Sequence, residues 1–267
     1  MKDLLRGVVN GALRSLGYEV RRIEPLRVNP KYYLRLIDEY FGHLSQTGFL
    51  DLPDVPNRTE QLARLDGTAI TEAAYVLKYL HLSLVRDGDV CEFGVGTGAT
   101  SALVANEIAG TGKHLWLFDS FEGLPKPTEK DTLVDDIHSV GSIEAYEGRM
   151  SYPMRMVRSR LSRIAFPTNR LHIVPGFIEE TIKKAELPRT VAFAYVDFDF
   201  YEPIKIALEF LDTVMPADAH IVVDDYGHFS SGAQTAVDEF VNAGAGRYEC
   251  LLPPRYAGAF AVLHKRA

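Results

Sequence analysis

Four short apolar runs in this chain each give way to an acidic residue, and segments of helical spacing separate them. The runs lead into Glu92, into Asp119 through His114–Phe118, into Asp197 through Val191–Val196, and into Asp224 through His220–Val223. Runs this short, apolar and partly β-branched are what strands buried on both faces require. Strands alternating with helices predict an α/β fold with a mostly parallel sheet covered on both faces. The acids would then gather at one edge of that sheet. Strand periodicity puts Asp197 and Asp199 on one face. The adjacent Asp224 and Asp225 can face a common point only if the backbone turns after Val223.

Four carboxylates in a partly dry cleft repel one another and must be neutralised by protons or by a cation. All-oxygen ligation suits a hard divalent metal such as Mg2+. A second motif is Asp89-Val-Cys-Glu92-Phe-Gly94-Val-Gly96-Thr-Gly98-Ala-Thr100-Ser101, which reads as strand, glycine loop and helix. Its glycines let the backbone turn tightly and approach a ligand, with helix-start amides facing that ligand. The spacing is G-x-G-x-G, different from the G-x-G-x-x-G of dinucleotide enzymes. Asp119, closing the next strand, is placed to accept bonds from ribose hydroxyls, and Gly176 and Phe177 follow a third strand, either beside an adenine or as a plain βα turn into a helix expected over Phe177–Ala185.

Glu92-Phe-Gly-Val-Gly-Thr-Gly98, Asp119-Ser-Phe-Glu-Gly-Leu-Pro125, Asp197-Phe-Asp-Phe-Tyr201 and Asp224-Asp-Tyr-Gly-His228 together resemble the successive motifs of the macrocin O-methyltransferase family, over roughly Thr59 to Lys265. The resemblance implies a Rossmann-like class I methyltransferase fold with a seven-stranded sheet and an antiparallel closing strand. It also implies S-adenosylmethionine and magnesium, used to methylate a sugar hydroxyl on a glycosylated natural product or glycan. Carried onto this chain, it makes Asp197, Asp224 and Asp225 metal ligands and Asp199 the candidate base, with Asp197 and His228 as alternatives. The cofactor set it implies is Glu92, Gly94, Gly96, Thr100 and Ser101 from the first motif. Asp119, Ser120, Gly176, Phe177 and Asp197 complete that set. Chelation by the cation points to an acceptor with a vicinal diol. A catechol satisfies the same geometry, and a noncatalytic nucleotide-binding scaffold or a dinucleotide oxidoreductase are the other readings of the glycine turn.

The formal charge of −7 disfavours a nucleic-acid partner. No apolar run approaches a membrane span of roughly 20 residues. Cys91 and Cys250 have neither zinc nor disulfide spacing, which fits a reducing cytoplasm. Residues 1–57 read as a helical extension and 58–267 as the catalytic domain, with a proline-broken connector ending the first. Ser120 to about Arg170 reads as a lid. Met1 to Arg27 holds six basic and three acidic residues, with apolar residues at helical spacing. Such a helix can pack on the protein, pack on a second subunit of a homo-oligomer, or lie on an anionic membrane surface. Asn10 and Arg14 interrupt it too early for a signal peptide. Tyr201 and Tyr226 are candidates for the sugar pocket or half-buried packing, and Trp116 for the core.

Overall fold

The computed structural model describes residues 30–183 and 186–267. The expected amino-terminal amphipathic helix and the end of the helix expected over Phe177–Ala185 lie outside the described residues. The chain divides after Leu36 into two units, of which Ile37–Ala267 carries the sheet. Among the described residues no helix is long and apolar enough to cross a membrane.

The first elements are helices α1 (Pro30–Gln46), α2 (Arg58–Leu62) and α3 (Ile70–Ser83). Within the larger unit, Ile37 packs with Leu62, Leu77 and Leu103. The nucleotide-type half follows as β1 (Asp89–Phe93), α4 (Ala99–Ile108), β2 (Leu115–Asp119), α5 (Met154–Arg163) and β3 (Leu171–Pro175). The second half is α6 (Ile178–Thr181), β4 (Val191–Val196), α7 (Tyr201–Val214), β5 (His220–Val223), α8 (Ser231–Ala243), β6 (Tyr248–Leu251) and β7 (Ala261–Lys265). The helix expected to start at Phe177 is a single turn ending at Thr181, with Ile182 continuing the apolar packing from outside it.

The strands form a seven-stranded sheet in the order β3-β2-β1-β4-β5-β7-β6. The first five are parallel, and β7 runs antiparallel between β5 and β6. The order reverses between β1 and β4, and such switch points open a crevice at the carboxyl ends of the strands. All of β4 and β5 is buried, as expected of strands sandwiched between helical layers. Period-two alternation divides their side chains. Cys91, Phe93, Ala194 and Val196 join the core under α7 and α8, while Val90, Phe193, Tyr195 and Val222 join the core under α3 and α4. Every residue of α4 is buried, which fits its nearly uniform apolar and small composition. Both cysteines are free, Cys91 buried and Cys250 half-buried. Trp116 is half-buried, stacked on His172 at 3.9 Å with its indole N–H donated to Asp89.

Between β2 and α5 the chain has little regular structure, yet it is tied down. Residues around Asp131 to Asp135 run along Phe229–Ser231, with a bridge between Leu133 and Ser230. Val134 N–H donates to the Phe229 carbonyl at 2.8 Å and Ser231 N–H to the Thr132 carbonyl at 3.0 Å.

Candidate functional site

The β1 to α4 turn is built by close backbone approach. Gly94 has φ +82°, and a Cβ there would stand 1.7 Å from the Asp197 carbonyl oxygen, so only glycine lets the exits of β1 and β4 touch. The Asp197 N–H returns a 2.7 Å bond to the Phe93 carbonyl. Gly96, at φ +51°, instead faces open space on the cleft side of the loop. Asp119 pins this loop. Its Oδ2 accepts the Val95 and Gly96 N–H groups at 2.7 and 3.1 Å, and its Oδ1 accepts the Phe121 N–H at 2.6 Å. Each oxygen accepts two bonds readily, so Oδ1 retains capacity for a ligand hydroxyl.

Glu92 is 1 % exposed, and its Oε2 has no hydrogen-bond partner among the described residues. Burial pushes its pKa up to about 8, the Asp119 charge adds to this, and the nearby Ser101 hydroxyl pulls the other way. Ser101 Oγ itself lies short of a well-formed bond, so these two buried polar groups face each other incompletely satisfied. A buried carboxyl in that state calls for an amine or hydroxyl donor. Thr100 shares a 2.6 Å bond with Thr68, and Ser120 donates to the Gly123 carbonyl at 2.8 Å. Gly176 and Phe177 complete this end of the cleft, where the Gly176 N–H donates to the Asp119 carbonyl at 2.9 Å. Ser101 lies behind Glu92 and is fully buried; the other expected cofactor residues line one cleft of about 720 Å3.

The acids line the same cleft. Their convergence does not come from strand alternation. β4 stops at Val196, and Asp199 lies beyond it at φ +62°, in a turn closed by a 2.6 Å bond from the Phe200 N–H to the Phe198 carbonyl. Asp225 has φ +59°, the turn after Val223 that the adjacent pair requires. One carboxylate oxygen each from Asp197, Asp199 and Asp225 lie within 4.8 Å of one another. Asp224 sits beside this group and is held differently: Oδ1 accepts the Asp225 N–H at 2.8 Å and Oδ2 the Tyr195 hydroxyl at 2.9 Å.

Burial raises the pKa of all four acids, and for Asp197 the charges of Asp224, Asp199 and Asp225 add to it. Asp199 is raised to about 7, with burial leading, a hydrogen bond with Asp225 opposing, and the Asp224 and Asp119 charges adding. Such a set holds protons until a cation replaces them. Three hard oxygen donors at this spacing fit a magnesium-class ion, and a soft metal would want nitrogen or sulfur.

Glu72 was not legible as a site residue. It lies on α3, lines the cleft and is buried, with Oε1 3.1 Å from the Tyr195 hydroxyl. Burial and then the Asp224 charge hold its pKa well above the usual carboxylate range. A carboxylate on the buried face of an otherwise apolar helix was the signal. His228 lines the cleft with its side chain 43 % exposed and its Nδ1 3.9 Å from Asp135. Tyr201 and Tyr226 do not line the cleft; their hydroxyls donate to Glu239 and Asp238 at 2.7 Å each. Leu124, Ile137, Met150 and Tyr152 of the β2–α5 connection give the cleft an apolar part, and Arg255 of the β6–β7 connection also lines it.

Residues 82–245, more than half of the chain, match the model of the macrocin O-methyltransferase family. The chain belongs to that family. Two curated relatives align with it. One is the 8-demethyl-8-(2,3-dimethoxy-alpha-L-rhamnosyl)-tetracenomycin-C 4'-O-methyltransferase of Streptomyces olivaceus, 28 % identical over 185 residues, 66 % of this chain and 65 % of that protein. The other is the mycinamicin III 3''-O-methyltransferase of Micromonospora griseorubida, 27 % identical over 154 residues, 54 % of this chain and 58 % of that protein. The chain thus spans about two thirds or less of the length of these relatives. The O-methyltransferase NovP shares the fold at a TM-score of 0.64 and 18 % identity, over 90 % of this chain and 100 % of its own. The calicheamicin methyltransferase CalS11 does so at 0.56 and 21 %, over 92 % and 94 %.

Proposed function

We propose that this chain transfers the methyl group of S-adenosylmethionine to a sugar hydroxyl of a glycosylated small molecule, in a reaction that needs a divalent cation. The convergence of Asp197, Asp199 and Asp225 beside the glycine loop is the observation that carries the reading. Family membership supports methyl transfer to oxygen. One relative is named for a rhamnosyl-bearing acceptor and the other for a mycinamicin, which supports a glycosylated acceptor.

The donor end of the cleft fits a sulfonium nucleoside through residues already described. Glu92 Oε2 is an orphaned acceptor suited to an ammonium or hydroxyl donor. Gly96 offers a backbone surface free of Cβ, and Asp119 Oδ1 can take one more hydroxyl proton. Bound there, the donor supplies an electrophilic methyl carbon on positively charged sulfur.

At the acid end, Asp197 and Asp225 of the converged group are the proposed cation ligands together with the neighbouring Asp224, and Asp199, the third member of the group, is kept apart for the proton. Asp224 keeps a lone pair on each oxygen, and its bond from Tyr195, backed by Glu72, is the outer support that ligating carboxylates commonly have. When bound, a divalent cation lowers the pKa of a ligated hydroxyl and fixes its position. Asp199, with its pKa near 7 before any cation is counted, is the proposed base. As the acceptor oxygen forms its bond to the methyl carbon, the carbon–sulfur bond breaks, sulfur keeps the electron pair, and the hydroxyl proton passes to Asp199. A vicinal diol allows two oxygens to meet the acids at once, which lowers the entropic cost of alignment.

The reading is tested with enzyme, donor and paired acceptors, one a diol-bearing glycoside and one a catechol. Chelator should abolish methylation of the glycoside and magnesium should restore it, with product identified by mass. Full activity in chelator would remove the cation from the proposal, and turnover of the catechol alone would move the acceptor class.

A further inference from the structure

Both acid-bearing loops run directly into helices. Asp197–Asp199 leads into α7 at Tyr201, and Asp224–Asp225 leads through Gly227 to Ser230 and α8. The position of the carboxylates therefore depends on where the two helix starts are held. Phe200, the residue before α7, has no side chain able to cap it. The cap comes instead from the β2–α5 connection: Asp131 Oδ1 accepts the Tyr201 N–H at 2.8 Å. The same oxygen accepts the Ser230 hydroxyl at 3.1 Å, while Ser230 Oγ takes the Gly232 N–H at 2.9 Å as the cap of α8. Asp131 Oδ2 is filled by the Thr128 N–H and hydroxyl, each at 2.8 Å.

Asp131 is 3 % exposed, so this is a desolvated carboxylate with four donors from three segments distant in sequence. A charge buried to that degree is tolerated only because its bonds are all made. The packing leaves no slack: a Cβ on Gly232 would fall 1.8 Å from Asp131 Oδ1 and 2.6 Å from the Tyr201 nitrogen. Phe200 and Phe229, stacked at 5.9 Å over Tyr146, cover the arrangement on the apolar side. Asp131 itself does not line the cleft, so its influence on the site passes through the two loops.

We infer that Asp131 is a positioning residue that sets the separation of the two acid loops, by clamping the first turns of α7 and α8 to the β2–α5 connection. The inference rests on the proposed cation site. The connection thereby becomes part of the acid site's frame as well as a wall of the cleft. Removing the clamp should loosen Asp197–Asp199 and Asp224–Asp225 together and leave the glycine loop, which hangs from β1 and Asp119, in place.

The test uses the full chain and Asp131→Asn, with Mn2+ binding followed by electron paramagnetic resonance, donor binding by calorimetry, and amide hydrogen exchange without any metal. Outer-support losses at metal sites commonly cost about tenfold to a hundredfold in affinity. Mn2+ affinity should fall by about that factor, donor affinity should stay within about twofold, and exchange should speed up in both acid loops but not in residues 94–98. Thr128→Val, which removes only one donor, should move the same readouts less and covers the case in which Asp131→Asn does not fold. Unchanged Mn2+ affinity in both variants would overturn the inference, as would equal losses of Mn2+ and donor affinity, which mark general destabilisation. If the unaltered protein binds no Mn2+, the cation reading fails on its own. Exchange then decides the clamp, which is refuted if faster exchange stays within the connection.

Discussion

Glu92 is an acid whose proton is held to about pH 8 in the folded chain against an ordinary value of 4.5. Between those values the unfolded chain has released the proton and the folded chain has not, so stability falls as pH rises through that window and levels off above it. Glu92→Gln removes the titration. The ligand-free variant should melt higher than the parent, with a difference that widens from pH 5 to pH 8, and its donor affinity should drop. Melting curves at the two pH values check this, and a gap of equal size at both would show that Glu92 does not titrate there. At the acid end, Asp199→Asn should keep Mn2+ binding and lose turnover by about a hundredfold or more, the scale of general-base catalysis. Asp224→Asn should lose Mn2+ binding itself, and the opposite pattern would exchange the two roles. The acids after β4 and β5 were legible because each ends an apolar run. The turn after Val223 followed from the adjacency of Asp224 and Asp225, whereas the turn at Asp199 was not legible, since positive φ there has no sequence signature comparable to glycine. Asp131 gave no signal at all, because the two partners that tie it to the helix starts lie 70 and 99 positions away along the chain.

At the level of elements, the glycine loop separates two requirements that look alike in sequence. Gly94→Ala drives a methyl group into the Asp197 carbonyl and should destabilise the fold by at least about 2 kcal/mol, beyond the roughly 1–2 kcal/mol of a left-handed alanine alone. Gly96→Ala meets open space, so its stability loss should stay near that conformational cost while donor affinity falls further. Denaturant melts and donor titrations on the two variants distinguish them. Strands and long helices were readable because period two and period 3.6 differ strongly over their lengths. α6 was overread: the apolar spacing of Ile178 and Ile182 is real, but only the first of them lies within the helix. Strand order came from resemblance, as periodicity carries no information on which strand neighbours which.

For the whole molecule, a chain with net charge −7 concentrates several acids in one cleft, a crowding of like charge that the proposed cation would relieve. Magnesium that binds only the folded form should raise the melting temperature, by roughly 5–10 °C at about a hundred times its dissociation constant for a chain of this size. Asp197→Asn should abolish that shift while raising the metal-free melting temperature, because it removes one of the crowded like charges. Scanning fluorimetry with and without chelator reads both effects, and a magnesium shift that survives in the variant would place the ion elsewhere.

Because Gly94 and the Asp197 carbonyl touch, the proposed donor seat and the start of the first acid loop meet at a single backbone junction. Diversification of acceptors is then left to the periphery. The stretches that supply Ile137, Met150 and Arg255 can be redesigned to welcome a different aglycone while the reach from sulfur to oxygen stays as it is. Under the proposed activity, a chimera exchanging only those stretches is the natural route to a changed acceptor preference on this scaffold.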